Sequence, residues 1–244
     1  MRRFFVPSQN IQGSRITVSD AKQAHYIKNV LRLKNDDAVI VFDEMANEYA
    51  CAIEKLKPQP VLFIKETAAL SSGAEKMRLS VACAIPKKSN MDDIVDKLTQ
   101  LGVDRIIPLK TQRTIVKLDE KKKQLRLIHW CKVAQNASQQ SQRKKLPVIE
   151  PLTDIKEVLS DSKGYDLKLI PTLAGERKSL KEVLQDSKPE NILIFIGPEG
   201  DFTDKEISLA KNYGCIPVSL GRNVLRVETA AVAVASYIKF LYQS

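Results

Sequence analysis

Two apolar runs that each end at a glycine-containing loop, both within residues 191–237, constrain this sequence more than any other feature. Residues 193–196 form the first run, which glycine and proline follow, as in strands covered on both faces of a parallel sheet. Residues 215–220 form the second run, which also stops at a glycine. Since ligands bind beyond the carboxyl ends of parallel strands, the loops at 197–200 and 221–226 are predicted to share one crevice.

Helix signals accompany both runs. Thr203 and Glu206 stand at the spacing of a capping box, so a helix is predicted to begin there. It is predicted to end at Gly214, because glycine readily takes the left-handed backbone that terminates helices. Residues 228–241 are apolar nearly all round, which predicts a helix that is buried or packs against a partner.

From residue 78 onward, apolar runs typical of strands alternate with segments of helical periodicity. Five strands joined by helices predict an α/β fold with a doubly wound, largely parallel sheet. The predicted strands are 79–85, 105–109, 166–171, 193–196 and 215–220, and the predicted helices between them include 91–101, a basic segment ending near 142, and 180–185.

The N-terminal part has a different texture. Short apolar runs separated by polar turns in residues 1–66 predict a small β-barrel, interrupted by one helix at 20–32. Residues 67–73 have the composition of a linker. We therefore predict two domains, a barrel of residues 1–70 and an α/β domain of residues 71–244.

The positive charge of the chain is concentrated in one segment. Residues 110–145 hold eleven lysines and arginines against two acids, so they carry +9 of the formal net charge of +10. A phosphate backbone would select such a distribution, although a solvated helix face gives the same pattern. The many glutamine, asparagine and serine residues in the second half of the segment favour the RNA interpretation, because they supply hydrogen-bonding groups beside the charge.

Several classes of site are not predicted. The sequence has no dinucleotide fingerprint, no phosphate-binding P-loop and no nucleophile elbow. Its four cysteines are far apart and it has only two histidines, so neither a metal site nor a disulfide framework is expected, and a reducing cytoplasm is the default. No apolar run approaches the ~20 residues of a membrane span.

The segment GPEG at 197–200 could by itself be only a tight turn. Together with SLGRNVLRVETA at 219–230, it resembles the SPOUT methyltransferases, and in detail the RsmE family of small-subunit rRNA uridine-N3 methyltransferases. The family pattern resembles I-G-P-E-G-G-F followed by S-L-G-x-R-I-L-R-x-E-T-A. The opening RRFF at 2–5, HYIKNVLR at 25–32 and QSQR at 140–143 extend the resemblance over the full length.

This sequence departs from that pattern at three positions. Asp201 replaces the usual second glycine, and aspartate tolerates left-handed backbone better than most residues. Gln139 stands where glutamate is common, and Asn223 where arginine is common. The last two substitutions affect details of RNA contact or of the charge at the site.

The resemblance implies a C-terminal domain tied in a trefoil knot, S-adenosylmethionine (SAM) as the cofactor and a homodimer. It implies an N-terminal PUA-like or OB-like barrel and methylation of N3 of a uridine in 16S rRNA of the small ribosomal subunit. Two alternatives stay open: a non-catalytic RNA-binding assembly factor with the same fold, and a SPOUT enzyme that acts on tRNA.

Carried over by motif position, the resemblance also implies site residues. Arg226 would stabilise charge on the uracil, and Glu199 and Glu228 are candidate bases, although an Arg226–Glu228 ion pair and a helix-capping Glu199 are equally good structural explanations. The implied cofactor-binding residues are Thr172, Leu173, Ile196, Gly197, Pro198, Glu199, Gly200, Leu220, Gly221, Asn223, Val224, Leu225, Arg226 and Thr229. The implied RNA-binding residues are Arg2, Arg3, Arg32, Arg113, Gln140, Arg143, Lys144 and Lys145.

Overall fold

The computed structural model describes residues 2–68, 77–87, 91–114, 119–173, 175–185 and 188–242. The chain forms two compact units, Met1–Ala74 with Ser138–Leu146, and Glu75–Ala137 with Pro147–Ser244. The domain boundary predicted at residue 70 lies outside the described residues, as do residues 69–73 of the predicted linker and residues 115–118 of the basic segment. The grouping of residues 138–146 with the N-terminal unit differs from the predicted division, because a sequence pattern does not reveal that a distant segment returns to an earlier unit.

The N-terminal unit is built on a six-stranded mixed sheet with the order β1-β4-β5-β6-β3-β2. The pair β1–β4 is parallel and the other neighbours are antiparallel. Buried side chains from alternate strand positions, among them Val39, Val41 and Ile53, form its core. The strands are β1 Arg2–Phe5, β2 Ile11–Gln12, β3 Arg15–Thr17, β4 Ala38–Phe42, β5 Glu48–Lys55 and β6 Val61–Ala68.

The helix predicted at 20–32 is present with an irregular second half. The Oδ1 atom of Asp20 accepts a hydrogen bond from the backbone N–H of Gln23 and caps helix α1, Ala21–His25. The chain continues as a π-helical turn over Tyr26–Val30. Arg32 then takes a left-handed φ of 50°, which ends the helical segment.

The C-terminal unit contains a second sheet, of eight strands, in which every described neighbour pair is parallel. The strand order is β10-β8-β7-β13-β11-β14-β12, with the short β9 also paired to β8. The predicted α/β class with a largely parallel sheet is therefore confirmed. The strands are β7 Arg78–Ala84, β8 Arg105–Lys110, β9 Val148–Ile149, β10 Thr153–Asp154, β11 Leu167–Pro171, β12 Lys178–Ser179, β13 Asn191–Ile196 and β14 Ile216–Ser219.

Helices cover both faces of this sheet, as in a doubly wound fold. The helices are α2 Met91–Gln100, α3 Glu120–Gln140, α4 Ile155–Ser160, α5 Leu180–Gln185, α6 Asp204–Asn212 and α7 Val227–Tyr242. Helices α2, α3, α5 and α7 contribute to the larger core cluster, and α4 and α6 contribute to the cluster on the opposite face. No helix in the described part of the chain combines the length and apolar character needed to cross a membrane.

Local signals position the elements around the crevice. The side chain of Thr203 accepts a hydrogen bond from the backbone of Glu206, and the Glu206 carboxylate accepts one from the backbone of Thr203, so the predicted capping box is confirmed. The helix stops before Gly214, which has a φ of 79°. Strands β13, β11 and β14 are adjacent and parallel, so their carboxyl ends lie at one edge of the sheet.

Candidate active site

An open pocket lies at the carboxyl edge of the parallel sheet, where the loops after β11, β13 and β14 meet. It holds about 620 Å³ of space that no atom fills, including solvent at its mouth. Two glycine-containing loops, 197–201 and 219–225, supply most of its wall, so the predicted meeting of the two loops is confirmed. The first residues of α7 complete the wall through Val227 and Ala230.

Most of the residues implied for cofactor binding line this pocket, namely Thr172, Leu173, Ile196, Gly197, Pro198, Glu199, Leu220, Gly221, Asn223, Val224 and Leu225. Gly200, Arg226 and Thr229 are not part of its wall. The motif comparison missed other lining residues, including Arg177, Asp201 and Ser219. Two of these three had a signal in the sequence, since Ser219 opens the motif at 219–230 and Asp201 directly follows GPEG at 197–200, whereas Arg177 lies outside both segments.

Two glycines meet different local requirements. A Cβ atom at Gly197 would lie 3.0 Å from Cε2 of Phe202, whose ring is buried in the core, so the close packing of this ring excludes a side chain. Gly221 has open space around it, but its φ of 119° is a conformation that other residues rarely adopt. The first loop therefore needs glycine for packing, and the second loop needs it for backbone geometry.

Asp201 joins the loop after β13 to the loop after β11. Its φ is 60°, as the sequence comparison predicted for a residue in place of glycine. Its Oδ2 atom accepts hydrogen bonds from Thr172 Oγ1 at 3.0 Å and from the Leu173 N–H at 2.7 Å. Its Oδ1 atom accepts the Phe202 N–H at 2.8 Å. One carboxylate thus fixes the relative position of two pocket loops.

Two further contacts hold the loop after β13 from outside the pocket. The Arg113 guanidinium donates to the carbonyl oxygens of Gly200 and Phe202, the latter at 3.4 Å. The Lys87 N–H donates to Oε1 of Glu199 at 2.7 Å. Arg113, which the resemblance assigns to RNA, therefore contacts protein backbone in this structure, and Glu199 has one oxygen engaged.

The candidate catalytic residues lie around the start of α7. Arg226 is exposed, and its carbonyl oxygen accepts the Ala230 N–H at 2.8 Å in the first turn of the helix. Cys83, in β7, is fully buried, and this burial raises the pKa of its thiol; the nearby carboxylates of Glu228 and Glu199 raise it further. Both carboxylates therefore lie near Cys83, close to the carboxyl end of β7, and the thiol stays protonated and unreactive.

The residues implied for RNA binding belong mostly to the N-terminal unit. Arg2, Arg32, Gln140, Lys144 and Lys145 are exposed, and Arg143 is partly buried. Segment Ser138–Leu146 groups with Met1–Ala74, so all six lie in one compact unit although more than a hundred positions separate them in the sequence.

Arg3 requires a correction. Its side chain is only 8% exposed, its Nη1 atom lies 2.9 Å from Oε2 of Glu48, and its guanidinium stacks over the Phe42 ring at 4.6 Å. A buried guanidinium that is held by an acid and an aromatic ring is not available to a phosphate. Arg3 therefore stabilises the N-terminal sheet instead of contacting RNA.

The chemistry of the pocket suits a ligand that is part apolar and part zwitterionic. Leu173 and Val224 are 50% and 73% exposed, which leaves apolar surface at the pocket for a flat ring. Glu199 and Asp201 offer carboxylates to a positive group, and Arg177 offers a guanidinium to a negative one. These residues fit SAM, which carries an adenine ring, a sulfonium and an amino acid. Within the described residues, no group of three or more histidine, cysteine or acidic side chains could hold a metal ion.

Comparison with known proteins agrees with this geometry. Residues 73–239 match the model of the RNA methyltransferase domain, and residues 18–66 match that of the RNA methyltransferase PUA domain. The ribosomal RNA small subunit methyltransferase E of Synechocystis is 31% identical over 99% of this chain and 78% of its own length. The chain belongs to the ribosomal RNA small subunit methyltransferase E family.

Solved structures extend the likeness to the whole fold. The Neisseria gonorrhoeae ribosomal RNA small subunit methyltransferase E, bound to SAM, superposes with a TM-score of 0.85 at 26% identity and covers 99% of this chain and 98% of its own. The Legionella pneumophila protein Lpg2936, solved in complex with SAM, gives a TM-score of 0.87 at 28% identity, covering 98% and 97%. The α/β unit and the N-terminal sheet thus occur together in methyltransferase E relatives.

Proposed function

We propose that this chain transfers the methyl group of SAM to N3 of a uridine in 16S rRNA. The observation that carries the proposal is that the two motif loops, 197–201 and 219–225, enclose one pocket in a chain of the methyltransferase E family. A parallel sheet places ligands at this edge, and the pocket has the mixed apolar and charged wall that SAM requires.

Different pocket residues would bind different parts of the cofactor. Leu173 and Val224 would cover the adenine ring, and the backbone groups of the two loops would hydrogen-bond its edge. Arg177 lines the pocket and donates to the carbonyl oxygen of Thr172 at 2.8 Å, and it would pair with the methionine carboxylate. Glu199 and Asp201 lend the pocket negative charge, which favours a positively charged sulfonium.

The residues around the start of α7 would act on the uracil. When bound, SAM supplies an activated methyl group. Uracil N3 must lose its proton before it can act as a nucleophile, and negative charge then spreads over the ring. Arg226 is exposed beside the pocket and would stabilise that charge. Glu199, through its Oε2 atom, and Glu228 are the two candidate proton acceptors.

The N-terminal unit would hold the RNA. Its exposed cations Arg2, Arg32, Lys144 and Lys145 can contact phosphates without reading sequence. The target base must leave its stack to reach a methyl donor, so a single-stranded or flipped uridine is expected. All four cysteines are free thiols, which supports a location in the reducing cytoplasm.

We further infer that two copies pair through α7. Tyr237, Phe240 and Leu241 are 41%, 71% and 43% exposed, and they lie on one stripe of a helix that buries Val234, Ala235 and Ile238 on another face. An exposed apolar stripe of this kind is typical of a protein interface. Analytical ultracentrifugation tests the inference: the wild type should sediment as a dimer and Phe240→Glu as a monomer, and a monomeric wild type would contradict it.

The deciding experiment is reaction of the protein with labelled SAM and 16S rRNA in small subunits that lack the modification. Nucleoside mass mapping should find one new 3-methyluridine, while bulk tRNA should stay unlabelled. Label in tRNA would favour the alternative SPOUT activity, and no thermal shift with SAM would favour the non-catalytic assembly factor.

Variants of neighbouring arginines test the role of Arg226. Arg226→Ala should lower kcat by about 10²- to 10³-fold with little change in the Kd for SAM, as for loss of one charge-stabilising donor. Arg222→Ala, in the same exposed loop, is the matched control and should retain activity. Equal activity of the two variants would show that Arg226 takes no part in methyl transfer.

A further inference from the structure

A second depression, the lysine groove, lies in the C-terminal unit outside the cofactor pocket. It holds about 1440 Å³ of space that no atom fills, including solvent at its mouth, against about 620 Å³ for the pocket. None of the described residues that line it is aromatic. The residues that line the lysine groove are Lys110, Thr111, Gln112, Thr114, Lys123, Leu152, Asp154, Ile155, Lys156, Lys205, Glu206 and Leu209.

Four lysines from four different elements converge on this groove. Lys110 is the last residue of β8, and Lys123, Lys156 and Lys205 belong to the first turns of α3, α4 and α6. Positive side chains are unfavourable at this end of a helix, so helix stability does not account for them. Lys110 and Lys123 belong to the basic segment at 110–145, whereas Lys156 and Lys205 lie 11 and 60 residues beyond its end.

The two acids that line the groove are fewer than its four lysines, and in the described part of the chain neither acid forms an ion pair with them. Asp154 accepts the Lys156 backbone N–H at 3.1 Å through Oδ1, as the cap of α4. Glu206 is buried, with Oε1 accepting the Gln112 N–H at 2.8 Å and Oε2 accepting from the Thr203 backbone N–H and hydroxyl.

Ion pairing leaves most of the positive charge of the groove available. In the described part of the chain, Lys110, Lys156 and Lys205 form no ion pair. Lys123 pairs with Glu120 at 2.6 Å, but the carboxylate side chain is 83% exposed, so the pair contributes little. The groove therefore presents excess positive charge to solvent.

The groove is connected to the cofactor pocket through one loop. Residues 111–114 follow β8, and Thr111, Gln112 and Thr114 line the groove. The Gln112 N–H donates to Glu206 in α6, and Arg113 donates to the carbonyl oxygens of Gly200 and Phe202 in the loop after β13. Strand β8 is two positions from β13 in the sheet, so at about 4.8 Å per strand their ends lie about 10 Å apart. A few nucleotides span such a distance.

We propose that the lysine groove holds the phosphate backbone of the RNA substrate next to the target uridine. Lysines act on phosphates as point charges, and a groove whose described lining holds four lysines and no aromatic side chain suits backbone contact better than base stacking. This proposal rests on the proposed function, since it adds a track for the same RNA. It assigns to RNA two lysines, Lys156 and Lys205, that no run of charge in the sequence identifies.

The test removes those two charges. The variant Lys156→Gln/Lys205→Gln is compared with Lys163→Gln/Lys211→Gln, which loses the same charge from exposed positions at the amino edge of the same sheet. Binding of transcribed 16S rRNA is measured from 50 to 300 mM salt. The groove variant should lower the slope of log K against log salt by about 1.4 to 1.8, the value for two lost phosphate contacts. Its Kd at 0.1 M salt should rise at least about tenfold.

The outcomes separate this proposal from the proposed function. The Kd for SAM should be unchanged in both variants, which shows that the fold and the pocket are intact. If the wild type methylates rRNA but the two variants have the same slope and Kd, the groove does not bind RNA. If the groove variant binds free rRNA normally but fails only on assembled subunits, the groove contacts ribosomal protein and the proposal is wrong. If the wild type neither binds SAM nor methylates RNA, the proposed function itself fails, and the groove proposal fails with it.

Discussion

Replacement of Asp201 tests whether one carboxylate holds the cofactor loops together. Asp201→Ala removes three hydrogen bonds, from Thr172 Oγ1, the Leu173 N–H and the Phe202 N–H. It also leaves a residue with a Cβ atom at a φ of 60°. Asp201→Gly removes the same bonds but relieves the backbone, and Asp201→Asn keeps one side-chain oxygen for Thr172 and Leu173.

The expected loss of stability follows from burial. A hydrogen bond to a charged group contributes about 1.5–3 kcal/mol, and less where water can replace it. Thr172 is buried at 5% exposure, whereas Leu173 is exposed, so the three bonds together should contribute about 3 kcal/mol. Left-handed geometry costs a residue with a Cβ atom about 1 kcal/mol relative to glycine. We expect losses of about 3 kcal/mol for alanine, about 2 for glycine and about 1 for asparagine.

Urea unfolding followed by tryptophan fluorescence measures these losses. The chain has one tryptophan, Trp130, and it is buried in the core of the C-terminal unit that contains Asp201. The midpoint for Asp201→Ala should fall by about 1 M or more, with Asp201→Gly and Asp201→Asn between it and the wild type. A midpoint for Asp201→Ala equal to that of the wild type would refute the bridging role, and equal midpoints for alanine and glycine would refute the backbone contribution.

Three further predictions concern packing, the corrected arginine and the thiols. Gly197→Ala places a Cβ atom 3.0 Å from the Phe202 ring and should lower stability by about 1–3 kcal/mol in the same assay. Gly200→Ala, whose nearest contact is 3.4 Å, should be nearly neutral. Equal effects of the two variants would show that close packing does not require glycine at position 197. Arg3→Ala should destabilise the N-terminal sheet by about 2 kcal/mol and speed its hydrogen exchange. The salt slope of RNA binding should stay the same, and a changed slope would show that Arg3 contacts RNA. At neutral pH a disulfide reagent should modify Cys131 alone in the folded protein. Burial raises the pKa of all four thiols, but Cys131 is exposed and the other three are inaccessible, so a second fast-reacting thiol would contradict this.

The sequence predicted mainly those parts of the fold that depend on residues close together in the chain. Thr203 and Glu206 needed only each other to define the start of α6, and the apolar run at 193–196 needed only its length and its terminating glycine. The meeting of the two loops followed from the rule that parallel strands end at one edge. The left-handed backbone of Asp201 was predicted in the same way, from the preference of a single residue type.

The features that the sequence did not predict depend on distant partners. The two-residue strands β9, β10 and β12 are too short to show any periodicity, and they form only because longer strands lie beside them. The sequence alone indicates a surface cation at Arg3, because its partner Glu48 lies far along the chain. The lysine groove draws Lys110 and Lys205 from positions nearly a hundred residues apart, so a run of charge could not reveal it.

A structure of the protein crystallised with SAM would test where the cofactor binds. SAM is expected between the loops 197–201 and 219–225, with its adenine against Leu173 and Val224 and its carboxylate near Arg177. Density for SAM elsewhere on the molecule, or saturating SAM that leaves this pocket empty, would contradict it.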